Sequence, residues 1–141
     1  MTIENVAKTF VINASGKVLL LRRVSTDAVR PGEWDLPGGG VEPGESYVNA
    51  AIREAFEEAH ITLQPERTQL IYAVTRLATD GRKSVNRFVF ATVLAEDQTP
   101  TLSHEHQEYM WVPIGEVAQV FPHPVYAVAL QYAIEHQLID F

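Results

Sequence analysis

The sequence contains no cysteine. That excludes a disulfide framework, a thiolate metal centre and a cysteine nucleophile together, and it suits a reducing cytoplasm. No apolar run approaches the roughly 18 residues that a membrane-crossing helix needs, and the opening MTIENVAKTF has no basic stretch leading into an apolar one. The expectation is a soluble, unprocessed, cytoplasmic protein with no membrane contact. Positive charge is scarce as well: 11 Lys and Arg against 18 Asp and Glu leave a formal charge of -7. Such a chain is ill suited to hold DNA or RNA through counterion release. A small anionic substrate stays open, provided that cations at the site offset the chain's own field. No repeat or low-complexity linker divides the 141 residues, and with 46% hydrophobic and 21% charged residues they read as one domain, 1–141.

The elements follow from periodicity and turn chemistry. Residues 7–12 and 17–21 are β-rich runs on either side of Asn13, Ala14, Ser15 and Gly16, which predicts a hairpin. A loop over 24–33 leads into Trp34, Asp35 and Leu36, and Pro37, Gly38, Gly39 and Gly40 are expected to be irregular. Residues 46–59 favour helix, with Ser46 as N-cap and Val48, Ile52, Ala55 and Ala59 forming an apolar stripe. Residues 70–78 and 87–94 read as a second hairpin around Asp80 and Gly81, and 109–112 as a short strand. Helices are expected over 114–120 and 125–137, the latter entered through Pro122 and Pro124. Strands and helices intermix, so the fold class is α/β (α+β), a mixed sheet covered by helices on its faces.

Glu54, Glu57 and Glu58 stand at i, i+3 and i+4 of the predicted helix and therefore share one face. Like charges so crowded repel each other, and a divalent cation would reverse the sign of that effect; hard carboxylate oxygens suit Mg²⁺ or Mn²⁺. Alone, such a triplet is what any solvated acidic helix face shows. Its setting is more specific: Gly39, five residues, Glu45, seven residues, then Arg53, Glu54, Ala55, Phe56, Glu57, Glu58, Ala59, His60 and Ile61. A chance match at those six polar and Gly positions is on the order of one in 10⁵ at average residue frequencies.

This pattern resembles the Nudix box, and the likeness extends upstream through Trp34 to Gly38 and, more loosely, downstream through Glu105, Glu108, Tyr109, Trp111 and Val112. The resemblance implies a Nudix-type mixed sheet sandwiched between helices. It also implies Mg²⁺-dependent hydrolysis, with Mn²⁺ as an alternative ion, of a diphosphate linkage in a nucleoside diphosphate joined to another moiety. By the same resemblance the Gly39 carbonyl, Glu57 and Glu58 are metal ligands. Glu54 is either a further ligand or the base that activates water, with Glu105 and then Glu108 as other candidates for the base. Arg53 and Glu45 match a pair thought to hold the loop and orient the glutamates, and Arg22 and Arg23 a basic pair often found there. His60 departs from the pattern, since a Gly usually ends this helix; His is among the residues that tolerate positive φ, so a left-handed cap is expected at modest cost.

Arg22, Arg23, Arg30 and Arg87 are the candidates for binding substrate phosphates, because guanidinium groups suit bidentate recognition. Trp34, Tyr72 and Tyr109 are candidates to stack a base, although Trp34 reads more naturally as core. His104, Glu105 and His106 are neighbours on an extended segment and point to opposite sides, which argues against a zinc cluster. The Pro of ADP-ribose hydrolases, the Tyr of diadenosine polyphosphate hydrolases and the NADH and coenzyme A motifs are missing. By elimination the expected partner is a small nucleotide, a nucleoside or deoxynucleoside triphosphate before a nucleotide sugar or ADP-ribose type substrate. The reading from another class is a nucleotide-sensing Nudix module without catalysis, and a homodimer is left open.

Overall fold

A computed structural model describes residues 1–28 and 30–139. One seven-stranded mixed sheet forms its frame. Strands β1 (Thr2–Ile12) and β2 (Lys17–Arg23) meet at a turn in which the Asn13 side chain accepts from the amides of Ser15 and Lys17, the local bonding that favours Asn in turns. The expected hairpin is paired only at its closed end, Ile12 with Val18. From there the two strands part. β2 pairs with the two-residue β3 (Trp34–Asp35) and with β7 (His106–Pro113). β1 runs parallel to β6 (Lys83–Val93) along its whole length.

The other edge of β1 is taken up by an unexpected strand. Residues 37–40, anticipated as irregular, include β4 (Gly38–Gly40), antiparallel to Val6, Ala7 and Lys8. The cause is the absence of a side chain at Gly38: a Cβ there would stand 2.1 Å from the Ala7 carbonyl oxygen, and its φ of +144° is one that only glycine adopts freely. The turn residues that break regular structure in most settings are here what lets two backbones come close enough to pair.

Helix α1 (Tyr47–Ala59) begins where expected, with the Ser46 hydroxyl accepting from the Asn49 amide at 3.2 Å. It ends at His60 in the left-handed conformation, φ 54° and ψ 31°, and the His60 amide bonds back to Phe56 O at 2.9 Å. The predicted stripe is turned slightly about the helix axis. Ala50, Ala51, Ala55 and Ala59 are buried while Val48 and Ile52 are half-buried. Small side chains on the contact face bring the helix close to the sheet, and the same rotation carries Glu58 into the interior.

The remaining elements match expectation within a few residues. β5 (Thr68–Leu77) pairs antiparallel with β6. A 3₁₀ turn (Ile114–Glu116) and α2 (Val117–Val120) precede α3 (Pro124–Glu135), which has His123 as N-cap and Pro124 at its first position. β1 alternates between two cores: Ala7 and Val11 face α1, and Phe10 and Ile12 face α3. Each fully buried side chain of this size contributes about 1.5–3 kcal/mol. Among the described residues no helix is long and apolar enough to cross a membrane.

Candidate active site

Glu58 is the most deeply placed of the three glutamates, only 5% exposed. Its Oε1 accepts from the Gly38 amide at 2.7 Å, and its Oε2 lies 4.0 Å from His106 Nε2. Burial pushes its carboxyl up to about 8, against the opposing pull of the Lys8 charge and the Gly38 amide. Glu54, half-buried, is also raised, by burial first, with Arg53 working against it. Glu57 is exposed. Carboxylates held out of water without a full complement of donors hold their charge only when a cation neutralises it.

Arg53 organises the same helix face. Its Nε and Nη2 grip Glu45 at 2.8 and 3.0 Å, and Nη2 also donates to Gly40 O at 3.0 Å. Nη1 bridges Glu54 Oε1 at 3.0 Å and Glu57 Oε2 at 3.1 Å. One fork thereby ties α1 to the glycine turn, and the hydrogen bond to Glu45 leads the causes that raise the guanidinium pKa. With Arg53 between Glu54 and Glu57, no three His, Asp or Glu side chains among the described residues are gathered closely enough to hold a metal ion as they now lie.

Beneath the glycine turn is a charged knot absent from the sequence reading. Asp35, 1% exposed, receives on Oδ2 the Lys8 ammonium at 2.9 Å, Arg30 Nη2 at 3.1 Å and Arg23 Nη1 at 3.4 Å. Burial raises the Asp35 carboxyl, but these cations outweigh it and the pKa is lowered. Lys8 is buried too, yet Asp35 and Glu58 more than offset the desolvation and hold its ammonium charged.

On the α3 face of the sheet opens a cleft of about 680 Å³. Lys8, Arg30, Lys83 and Arg87 line it, against Glu4 and Glu33. The remainder includes the rings of Trp34, Phe121, His123 and Tyr126. In a chain of formal charge -7 this is a local excess of positive charge beside aromatic surface. None of the α1 glutamates lines the cleft; Lys8 does, and it bonds to the carbonyl of Gly38.

The four candidate arginines therefore divide. Arg30 and Arg87 line the cleft. Arg22 donates to Glu108 at 2.6 Å and lies 5.9 Å from the Trp34 ring centre. Arg23 is engaged with Asp27 and Asp35. Glu105 sits exposed on its loop, its carbonyl accepting from the Val24 amide. His104 and Glu105 lie exposed in a turn, and His106, the first residue of β7, is buried, so the three side chains are not gathered at one point. Trp34 is half-buried against the main core and also borders the cleft. Tyr72 packs on Tyr132, and Tyr109 is exposed on β7. Lys8, His123 and Tyr126 escaped the sequence reading, which named Asp35 only within the stretch leading to the box and His106 only to argue against a zinc cluster. Lys8 had a visible signal, a lone cation within the apolar strand VAKTFVI; His123 and Tyr126 had none.

Comparison with known proteins bears on the family and the fold. A family model described as NUDIX domain matches residues 3–131. The nucleoside triphosphatase NudI of Escherichia coli is 33% identical over 108 residues, spanning 72% of this chain and 77% of that protein. Its namesake from Escherichia fergusonii is 31% identical over 115 residues, 77% and 82% of the two chains. Among solved structures, the MutT protein from Methanosarcina mazei Go1 superposes with a TM-score of 0.78 at 29% identity, over 96% of both chains. The Escherichia coli ORF135 protein gives 0.75 at 25% identity, over 97% and 92%.

Proposed function

This chain belongs to the Nudix family of hydrolases acting on phosphoric anhydrides, and from that premise we propose that it is a nucleoside or deoxynucleoside triphosphate pyrophosphohydrolase. The observation that carries the substrate is the cleft: Arg30 and Arg87 suit a phosphate chain, Lys8 and Lys83 being engaged by Asp35 and Glu4, and the rings of Trp34, Phe121, His123 and Tyr126 suit a base. The triphosphatase relatives support the same reading.

Family members use a divalent metal; among the described residues the carboxylates do not converge on one point as they lie, and what favours a metal there is the chemistry of individual groups. Gly39 has no side chain between its backbone and the Glu54 carboxylate, and Glu58 is a buried carboxyl whose charge lacks a sufficient partner. We take the Gly39 carbonyl, Glu57 and Glu58 as the ligand set, with Mg²⁺ as the ion and Mn²⁺ as its substitute, and of the two roles open to Glu54 we choose the base. An ion held by these residues would supply neutralisation of charge at the phosphates and a more acidic water. The chain's own groups supply the rest. Arg53 and Glu45 keep the loop against the helix, and the cleft cations orient the phosphate chain. Glu54 is our choice of general base: it is half-buried and its carboxylate stands against the Gly39 backbone, beside the proposed ligands, whereas Glu108 is committed to Arg22 and Glu105 lies on an exposed loop. Cysteine-free composition suits the cytoplasm as compartment.

A panel of nucleotides, nucleotide sugars and dinucleotides with Mg²⁺, analysed for products, tests the assignment. Expected is metal-dependent release of pyrophosphate from a triphosphate, reduced at least about tenfold in Glu58→Gln. Undiminished turnover by that variant overturns the reading.

A further inference from the structure

We propose that Lys8 is a positioning residue for the metal ligands, fixing from the cleft side the glycine, Gly38, on which Glu58 is docked. The proposal rests on the ligand set just given. Gly38 is held at both of its polar atoms: its amide donates to Glu58 Oε1 at 2.7 Å, and its carbonyl accepts from Lys8 Nζ at 3.2 Å. The same ammonium donates to Leu36 O at 3.3 Å and to Asp35 Oδ2 at 2.9 Å. Register puts Lys8 directly opposite Gly38, and a Cβ on Gly38 would stand 2.8 Å from Lys8 Cδ, so the lysine stem and the turn are in contact along their length. The Gly38 amide lies in the peptide shared with Pro37 and its carbonyl in the peptide shared with Gly39, so holding both atoms restrains two successive peptide planes, one carrying the donor to Glu58 and the other leading into the Gly39 carbonyl. Groups that aim metal ligands typically govern affinity as much as the ligands' own neighbours do.

An ion pair serving the fold alone does not account for this arrangement. Asp35 already has Arg30 and Arg23 within 3.4 Å on the same oxygen. What Lys8 adds is the pair of bonds to the carbonyls of Leu36 and Gly38. It is also the side chain that lines the cleft at only 6% exposure while touching the glycine turn, and so it stands between the proposed phosphate site and the proposed metal site.

The test is a titration of the full chain with Mn²⁺ in the absence of nucleotide, followed by electron paramagnetic resonance, with folding checked by a melt. Lys8→Met keeps the stem and removes the ammonium. The expected result is Mn²⁺ binding weakened about tenfold or more. Because Lys8→Met leaves one cation fewer on a buried carboxylate, the double variant Lys8→Met with Asp35→Asn is measured in parallel, and it carries the test alone should the single variant not fold. The double variant is expected to stay weakened, since its carbonyls are still unheld. Wild-type affinity in Lys8→Met, or its recovery in the double variant, overturns the proposal and reduces Lys8 to a counter-charge for Asp35. Failure of the wild-type chain to bind Mn²⁺ overturns the ligand set itself and this proposal with it. Binding without any nucleotide hydrolysis overturns the proposed function and leaves the positioning role of Lys8 standing.

Discussion

The carboxyl carbon of Glu54 lies 3.0 Å from the point at which Gly39 would carry a Cβ. That proximity specifies what glycine does at this position. Its backbone is not in the left-handed region, so alanine is conformationally allowed there and only the neighbour must move. Gly39→Ala is therefore expected to displace Glu54 and lower kcat at least about tenfold. The melting midpoint should shift by no more than about 4 °C, the effect of roughly 1 kcal/mol in a domain of this size. A variant with full activity would show that Glu54 need not stand where it does.

Gly38→Ala, one residue away, should behave differently. The added Cβ would meet the Ala7 carbonyl oxygen at 2.1 Å and Lys8 Cα at 2.7 Å, and φ is unfavourable besides. Both obstacles are backbone and cannot swing aside. The expected outcome is loss of soluble folded protein or a melting midpoint lowered by about 10 °C or more, and a midpoint unchanged from wild type would count against the pairing of β4 with β1.

These two glycines show where sequence reading succeeds and where it stops. The carboxylates at 54, 57 and 58, the Ser46 cap and the left-handed His60 were all legible, because each depends on neighbours within a turn of helix. Gly38–Gly40 as a strand was not, because its pairing partner lies some thirty positions earlier, at Val6, Ala7 and Lys8. The same holds for the site. Arg53 and Glu45 meet through local chain, whereas Lys8 and Asp35 are brought together by the sheet. The cleft is assembled from β1, β6, the 30–34 loop and the start of α3, and no window of sequence contains it. The division of the four arginines follows from that assembly, since charge alone gives no direction.

The buried carboxyl of Glu58 makes a prediction about pH. Its folded pKa, about 8, is raised above the ordinary 4.5 by burial. A raised value means that the folded chain binds the extra proton, so this group's contribution to stability is complete below about 4.5 and is lost as pH rises through about 8. Asp35 and His106 are shifted downward and act in the opposite sense at lower pH, so the quantity to measure is a difference. Without metal, the midpoint of wild type minus that of Glu58→Gln should fall by several degrees, about 4 °C or more, between pH 5 and pH 8. Millimolar Mg²⁺ should restore much of the loss at pH 8 by binding the folded form. A difference that is flat with pH would remove Glu58 as the ionisable group.

The last prediction separates Arg87 from Arg22, one of the basic pair to which the family resemblance pointed. Arg87 lines the cleft, where a charge-assisted hydrogen bond to phosphate typically contributes about 1.5–3 kcal/mol. Arg22 instead forms a surface pair with Glu108, of a kind that contributes about 0–1 kcal/mol. Arg87→Gln is therefore expected to raise KM for the triphosphate about tenfold or more with kcat changed much less, because the group binds ground state and transition state alike. Arg22→Gln should leave KM within about twofold. Steady-state kinetics on both variants decides the matter. If Arg22→Gln raises KM as much as Arg87→Gln, the phosphates follow the rim of β2 and β7, and the cleft beside α3 is not where the nucleotide lies.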